Sequence, residues 1–324
     1  MNLRACLYFL LSVALAPMQA TAADEPFPAR AITDVCPFPP GSTSDLLPRA
    51  LAPLLSQSMG VPVIVENRPG ATGSIGAALV ARAESSGHTV LMAPTAVLAI
   101  NQWLYKDLAY RPEKDFAPII NAASTPNMWV AHPSFPARNL EEMIALARLK
   151  PNSISFASAG NGSTSHLCGE LLKTLAGIGI VHVPYKGPGA AHQDLLAGRV
   201  PLMCDNLSNV IAHVRAGRLR AIALTAQSRH PQAPEIPTAH ESGLPGFDIG
   251  VWYGFVAPAP TPKPVLQKLN GEFAKALRSA AVSERLEALG LTVVADSPEQ
   301  FAQFIAAESA KWRKLVQASG ARVD

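Results

Sequence analysis

Beyond its N-terminus the chain has no long hydrophobic run, so nothing later in the sequence is fit to cross a membrane as a helix. Charge is sparse. Only 16% of residues are Asp, Glu, Lys or Arg, the basic ones are scattered, and the formal net charge is +3. No Lys/Arg run interleaves with aromatics, which make up just 6% of the chain, so nucleic acid is not an expected partner. Cysteine is scarce too: four residues, none in a Cys-x-x-Cys pair, which removes the usual grounds for a zinc or thioredoxin-like centre. There is no Gly-x-Ser-x-Gly elbow, no His-x-x-x-His and no Asp/Glu cluster at metal-ligand spacing. The expectation is therefore a non-enzyme without metal or other cofactor. Ser165 and His166 are neighbours in sequence, which does not make them face each other as a catalytic pair. Gly70-x-x-Gly73-x-x-Gly76 has the wrong first interval for a dinucleotide loop and lacks the acidic ribose partner.

What is present begins with an export leader. Arg4 supplies the positive start, Leu7 to Ala16 the apolar stretch, and Ala20-Thr21-Ala22 the small residues of a cleavage site, placed after Ala22. The apolar stretch is too short for the roughly 20 residues of a membrane span. Cys6 lies too early for a lipoprotein cysteine. The mature chain keeps Cys36, Cys168 and Cys204, an odd count that leaves at least one thiol free and the choice of pair open.

The remainder alternates strand-like and helix-like patterns, which argues an α/β fold, and its length suits two domains. Strands are read at 31–36, 61–66, 154–157, 180–183, 200–204 and 219–225, and helices at 45–60, 165–175 and 190–197. Two amphipathic helices follow. One carries Val265, Leu269 and Phe273; the other carries Phe301, Phe304, Trp312 and Val316. Glu141-Glu142 reads as a solvated helix face.

One internal echo organises the rest. Gly41-Ser42-Thr43-Ser44 and Gly162-Ser163-Thr164-Ser165 each follow a strand and open a helix. A closing glycine (Gly60, Gly179), a further strand and a Pro-Gly turn follow each in turn. Two copies indicate two related lobes rather than a solenoid. Each turn puts unpaired amides at the positive end of a helix, where glycine allows close approach and hydroxyls add uncharged donors. Two such turns, one per lobe, form a clamp for an anion.

Several ordered motifs are specific. Val35-Cys36-Pro37-Phe38-Pro39-Pro40-Gly41, Val65-Glu66-Asn67-Arg68-Pro69-Gly70-Ala71 and Gly73-Ser74-Ile75-Gly76-Ala77 resemble the Bug-type extracytoplasmic solute receptors, the binding proteins of tripartite tricarboxylate transporters. So do Ala157-Ser158-Ala159-Gly160-Asn161-Gly162, His182-Val183-Pro184-Tyr185-Lys186-Gly187, Cys204-Asp205-Asn206 and Gly243-Leu244-Pro245-Gly246-Phe247. The resemblance runs from about Pro28 to Ala321. It implies a type II-like periplasmic binding protein, with two Rossmann-like lobes flanking a cleft. Lobe 1 is 23–124 with 250–324, lobe 2 is 125–249, and the chain crosses near Thr125 and Gly250.

The resemblance also implies a monomer in the periplasm that delivers a small carboxylate to integral-membrane transporter subunits. Carried over, the ligand-binding residues are Pro40, Gly41, Ser42, Thr43 and Asp45 in the first loop. Ser158, Gly160, Asn161, Gly162, Ser163 and Thr164 supply the second, with Thr95 as a further wall. Asp205 is expected to face the cleft and orient water or accept from a ligand donor. Ser42 departs from the family, which usually has a second glycine there. Tyr185-Lys186 is placed at the rim, and Trp252-Tyr253 in hinge packing rather than ligand contact. A ligand sensor feeding a two-component kinase is the alternative role, and an enzyme on the same scaffold the third.

Overall fold

A computed structural model describes residues 27–322; the leader and its cleavage site lie outside the described residues. Ten strands form one mixed sheet. They are β1 (Ile32–Cys36), β2 (Val63–Asn67), β3 (Thr89–Pro94), β4 (Phe116–Ala131) and β5 (Ser155–Ser158), then β6 (Val181–Pro184), β7 (Leu202–Asn206), β8 (Arg220–Leu224), β9 (Gly250–Pro258) and β10 (Thr292–Val293). The order is β2-β1-β3-β9-β4-β7-β5-β6, with β8 and β10 also on β4.

Two parallel halves meet at two antiparallel strands. β2, β1 and β3 run parallel on one side, and β7, β5 and β6 on the other. Parallel neighbours need crossover connections, and helices supply them. Thr43–Met59 links β1 to β2, Thr164–Ala176 links β5 to β6, and Pro188–Leu196 links β6 to β7. β4 belongs to both halves: its first part pairs with β9 as far as Pro126, and Asn127 to Ala131 pair with β7.

The helix Thr43–Met59 forms because Leu47, Leu51, Leu55 and Met59, four residues apart, bury one stripe against the sheet. It ends at Gly60, whose φ of 73° suits the left-handed cap. Thr164–Ala176 ends at Gly177 rather than at Gly179, the residue the sequence echo picks out. Gly179 packs against Asn152 instead, where an added Cβ would lie 2.6 Å from Oδ1. The last helix, Pro298–Ser319, opens with a capping box between Ser297 and Gln300 and packs on both β4 and Thr164–Ala176. It is pinned by Glu308, whose Oε2 accepts from the indoles of Trp252 and Trp312 at 3.0 Å each.

Candidate ligand cleft

The two echoing turns face each other. Ser42, Thr43 and Ser44 at the start of one helix, and Ser163, Thr164 and Ser165 at the start of the other, line one chamber that opens to solvent. Asp205, Asn206 and Asn209 complete it from β7 and the helix after it, and Tyr253 does so from β9.

The turns are built alike from different side chains. In each, the third helical residue reaches back to the amide of the glycine before the N-cap. Gly41 N donates to Asp45 Oδ2 at 2.9 Å, and Gly162 N donates to His166 Nδ1 at 3.2 Å. Both glycines have positive φ, 82° and 78°. Their amides, expected to be bare, are thus held by the protein itself, and Asp45 is a buried brace that also binds Arg49 and Asn67. Ala159 N and Gly160 N are likewise taken, by Ser165 Oγ and Ser158 Oγ. The first two amides of each helix, on Thr43 and Ser44 and on Thr164 and Ser165, have no partner within the helix. These four amides and the hydroxyls of Ser44 and Thr164 are the donors the chamber presents, since the hydroxyls of Ser42, Thr43 and Ser163 already donate to Pro39 O, Asn209 Oδ1 and Gly160 O.

No Lys or Arg lines this chamber. Its one charged side chain, Asp205, is 3% exposed and already engaged: Oδ2 receives His192 Nε2 at 2.7 Å and Asn209 Nδ2 at 3.1 Å, and Oδ1 receives Asn206 N at 2.8 Å. Burial pushes the His192 pKa down, but the bond to Asp205 and its charge outweigh this and leave it raised. Asp205 therefore faces the chamber, as expected, and also braces its wall. Asn206 Nδ2 donates to Tyr253 Oη at 2.8 Å, while its buried Oδ1 has no partner among the described residues.

Several expected residues lie behind the lining. Thr95 is fully buried and ties β3 to β9, accepting from Trp252 N at 2.8 Å. Ser158 is fully buried and bonded to His182 Nε2 at 2.6 Å. Burial, with His166 and Lys173 nearby, pushes His182 down to about 3, so it is neutral, stacked on His166 at 4.0 Å. Ser165 Oγ meets Ala159 N and Ser163 Oγ rather than either histidine. Pro40, Gly41, Asn161 and Gly162 shape the turns without lining the chamber.

A second chamber adjoins the first. Gly160 lines it, with Pro37, Pro39, Pro69, Tyr185 and Lys186, and Phe38, Thr72 and Ala159 line both. Ala71 and Thr72 carry positive φ, 45° and 49°, in a region that costs an L-residue roughly 1–2 kcal/mol. Hydrogen bonds cross directly between the walls. Thr43 Oγ1 donates to Asn209 Oδ1 at 2.9 Å and lies 3.0 Å from Ser208 Oγ, and Thr72 Oγ1 donates to Asn161 O at 3.1 Å. Sequence reasoning missed Asn209 and Thr72 and set Tyr253 aside as packing. Asn209 lies four residues after Asp205, on the helix that opens as β7 ends.

Residues 47–321 match the model of the tripartite tricarboxylate transporter family receptor. The chain belongs to that family. Among curated relatives, Protein BugT of Bordetella pertussis is 36% identical over 312 residues, 96% of each chain. The UPF0065 protein in the tcbD-tcbE intergenic region of Pseudomonas sp. (strain P51) is 40% identical over 291 residues, 90% of this chain and 86% of its own. Among solved structures, R. palustris Rpa4515 with adipate matches with a TM-score of 0.88 and 34% identity, covering 92% of this chain and 100% of that one. MatC (Rpa3494) from Rhodopseudomonas palustris with bound malate gives 0.84 and 35%, covering 90% and 100%. The periplasmic binding protein BugD gives 0.85 and 35%, covering 91% and 99%. The family is a group of periplasmic solute receptors, and the fold is that of the two-lobed periplasmic binding proteins. No helix among the described residues is long and apolar enough to cross a membrane, and no group of three or more His, Cys, Asp or Glu among them is placed to hold a metal ion.

Proposed function

We propose that this chain captures a small carboxylate in the periplasm by closing a cleft, and hands it to the membrane subunits of a tripartite transporter. The observation that carries this reading is the opposition of two helix N-termini across one chamber with no cationic side chain in its lining. Such a site binds an anion through amides, hydroxyls and helix dipoles. Each hydrogen bond to a charged group contributes about 1.5–3 kcal/mol, so a few suffice for the ~8 kcal/mol of a micromolar complex. Ser42, Thr43, Ser44, Ser163, Thr164 and Ser165 make the contacts. Gly41, Asp45, Gly160, Asn161, Gly162 and Asp205 hold those loops in place.

The lobes are 23–124 with 250–324 against 125–249. The bonds from Thr43 to Asn209 and from Thr72 to Asn161 cross between them, as a closed state requires. The adipate and malate held by relatives support a carboxylate ligand. The test is calorimetry of the mature chain against a panel of mono- and dicarboxylates, followed by mass spectrometry of the recovered ligand. The expected result is micromolar or tighter binding of a carboxylate returned unchanged. Consumption of the ligand, or failure of the whole panel to bind, would sink the reading.

A further inference from the structure

We propose that Thr72 is a length filter for the ligand, its hydroxyl barring the passage between the two chambers. This inference rests on the carboxylate-receptor reading above. Thr72, Phe38 and Ala159 are the residues common to both linings, so they form the partition. Of these only Thr72 carries a hydrogen-bonding side chain, and it reaches across the cleft to Asn161 O at 3.1 Å.

The backbone beneath it is held in a conformation that glycine adopts freely and threonine does not, φ 49° and ψ 40°. Buried Asn101 keeps it there. Its Nδ2 donates to Thr72 O at 3.1 Å and also lies within bonding distance of Ser74 Oγ and Tyr110 Oη. Tyr105 Oη, at 3.3 Å, steadies the Thr72 hydroxyl itself. Strain of this kind, braced from the core and ending in a side chain at the cleft, marks a position where the side chain has a task.

The second chamber is suited to what the bar keeps out. It opens to solvent, with Pro37, Phe38, Pro39 and Pro69 as apolar surface. Lys186, exposed beside it, has no ion pair or hydrogen bond among the described residues. A methylene chain ending in a second carboxylate would pass apolar walls and meet a cation. With the bar in place, ligands are confined to the first chamber and must be short.

The experiment is calorimetry with the α,ω-dicarboxylates from succinate to suberate on the mature chain and on Thr72→Gly and Thr72→Ser. Glycine relieves the positive φ, so the variant is expected to fold; serine keeps the hydroxyl. The wild type should favour the short diacids. Thr72→Gly should raise the affinity for suberate relative to succinate at least about tenfold, and Thr72→Ser should keep the wild-type order. A wild type that binds suberate as tightly as succinate, or a Thr72→Gly profile equal to the wild type's, overturns the filter while leaving the receptor reading intact. Binding of no diacid by any variant overturns both.

Discussion

Cys168 and Cys204, with Cα atoms 6.3 Å apart, are joined by a disulfide that ties the helix carrying Thr164 and Ser165 to the strand carrying Asp205 and Asn206. Two walls of the first chamber are thereby fastened to each other one helical turn from Thr164. Cys36 is buried and free; burial, with lesser contributions from its neighbours, pushes its thiol up to about 12.

Removing the bridge should cost stability and affinity together. A Cys168→Ser, Cys204→Ser double variant is expected to lose about 2–4 kcal/mol of unfolding free energy, the usual range for a native disulfide. Urea denaturation of both proteins measures this. Carboxylate affinity should fall several-fold in the same variant, because the two walls are no longer held in register.

Asp34 gives a pH dependence of defined sign. It sits in the middle of β1, 2% exposed, with Oδ1 unpaired among the described residues. Burial raises its pKa to about 8, only partly opposed by the Met92 backbone. The unfolded chain ionises this group near pH 4 while the folded chain keeps the proton, so the folded state binds more protons between those values. Stability should therefore fall as pH rises from about 4 to about 8, by at most ~1.4 kcal/mol per pH unit from this group. Asp34→Asn should flatten that slope and be more stable than the wild type at pH 7. Denaturation midpoints across the pH series decide it; equal slopes for both proteins would remove Asp34 as the cause.

An anion site made of neutral donors should be nearly indifferent to salt. If the first chamber binds the carboxylate as proposed, its lack of Lys and Arg leaves the attraction to amides and hydroxyls at contact distance, which ions in solution screen little. Affinity measured from low to high ionic strength is expected to change less than about threefold. A steep loss with salt would instead mean that Lys186 or another surface cation supplies the binding energy.

Much of the sheet was legible because its strands are short, apolar and bounded by turns. The reading of 31–36, 200–204 and 219–225 falls within two residues of β1, β7 and β8. The twin tetrapeptides located both helix starts, since N-caps and glycine turns are local signals. β4 was not legible. Pro118 and Pro126 interrupt it, and it exchanges one set of neighbours for another midway, so no single alternation runs along it. The disulfide partners were not legible either, because their approach depends on how the helix Thr164–Ala176 lies on β7.

The site was half legible for a similar reason. Sequence marked Ser42, Thr43, Ser163 and Thr164, which line the chamber, but could not tell that Gly41 and Gly162 spend their amides on Asp45 and His166, or that Ser42 and Ser163 spend their hydroxyls on Pro39 O and Gly160 O. Nor could it show Tyr253 bonding Asn206 from a distant strand.

Pro126 and Gly250 stand opposite each other at the end of the β4–β9 ladder, where β4 passes on to its pairing with β7. An added Cβ on Gly250 would lie 2.9 Å from Thr125 O, so nothing larger fits between the two strands at that level. Gly250 is thus the residue that lets β4 and β9 stay paired to the very end of their ladder, and a larger residue there would prise the two strands apart.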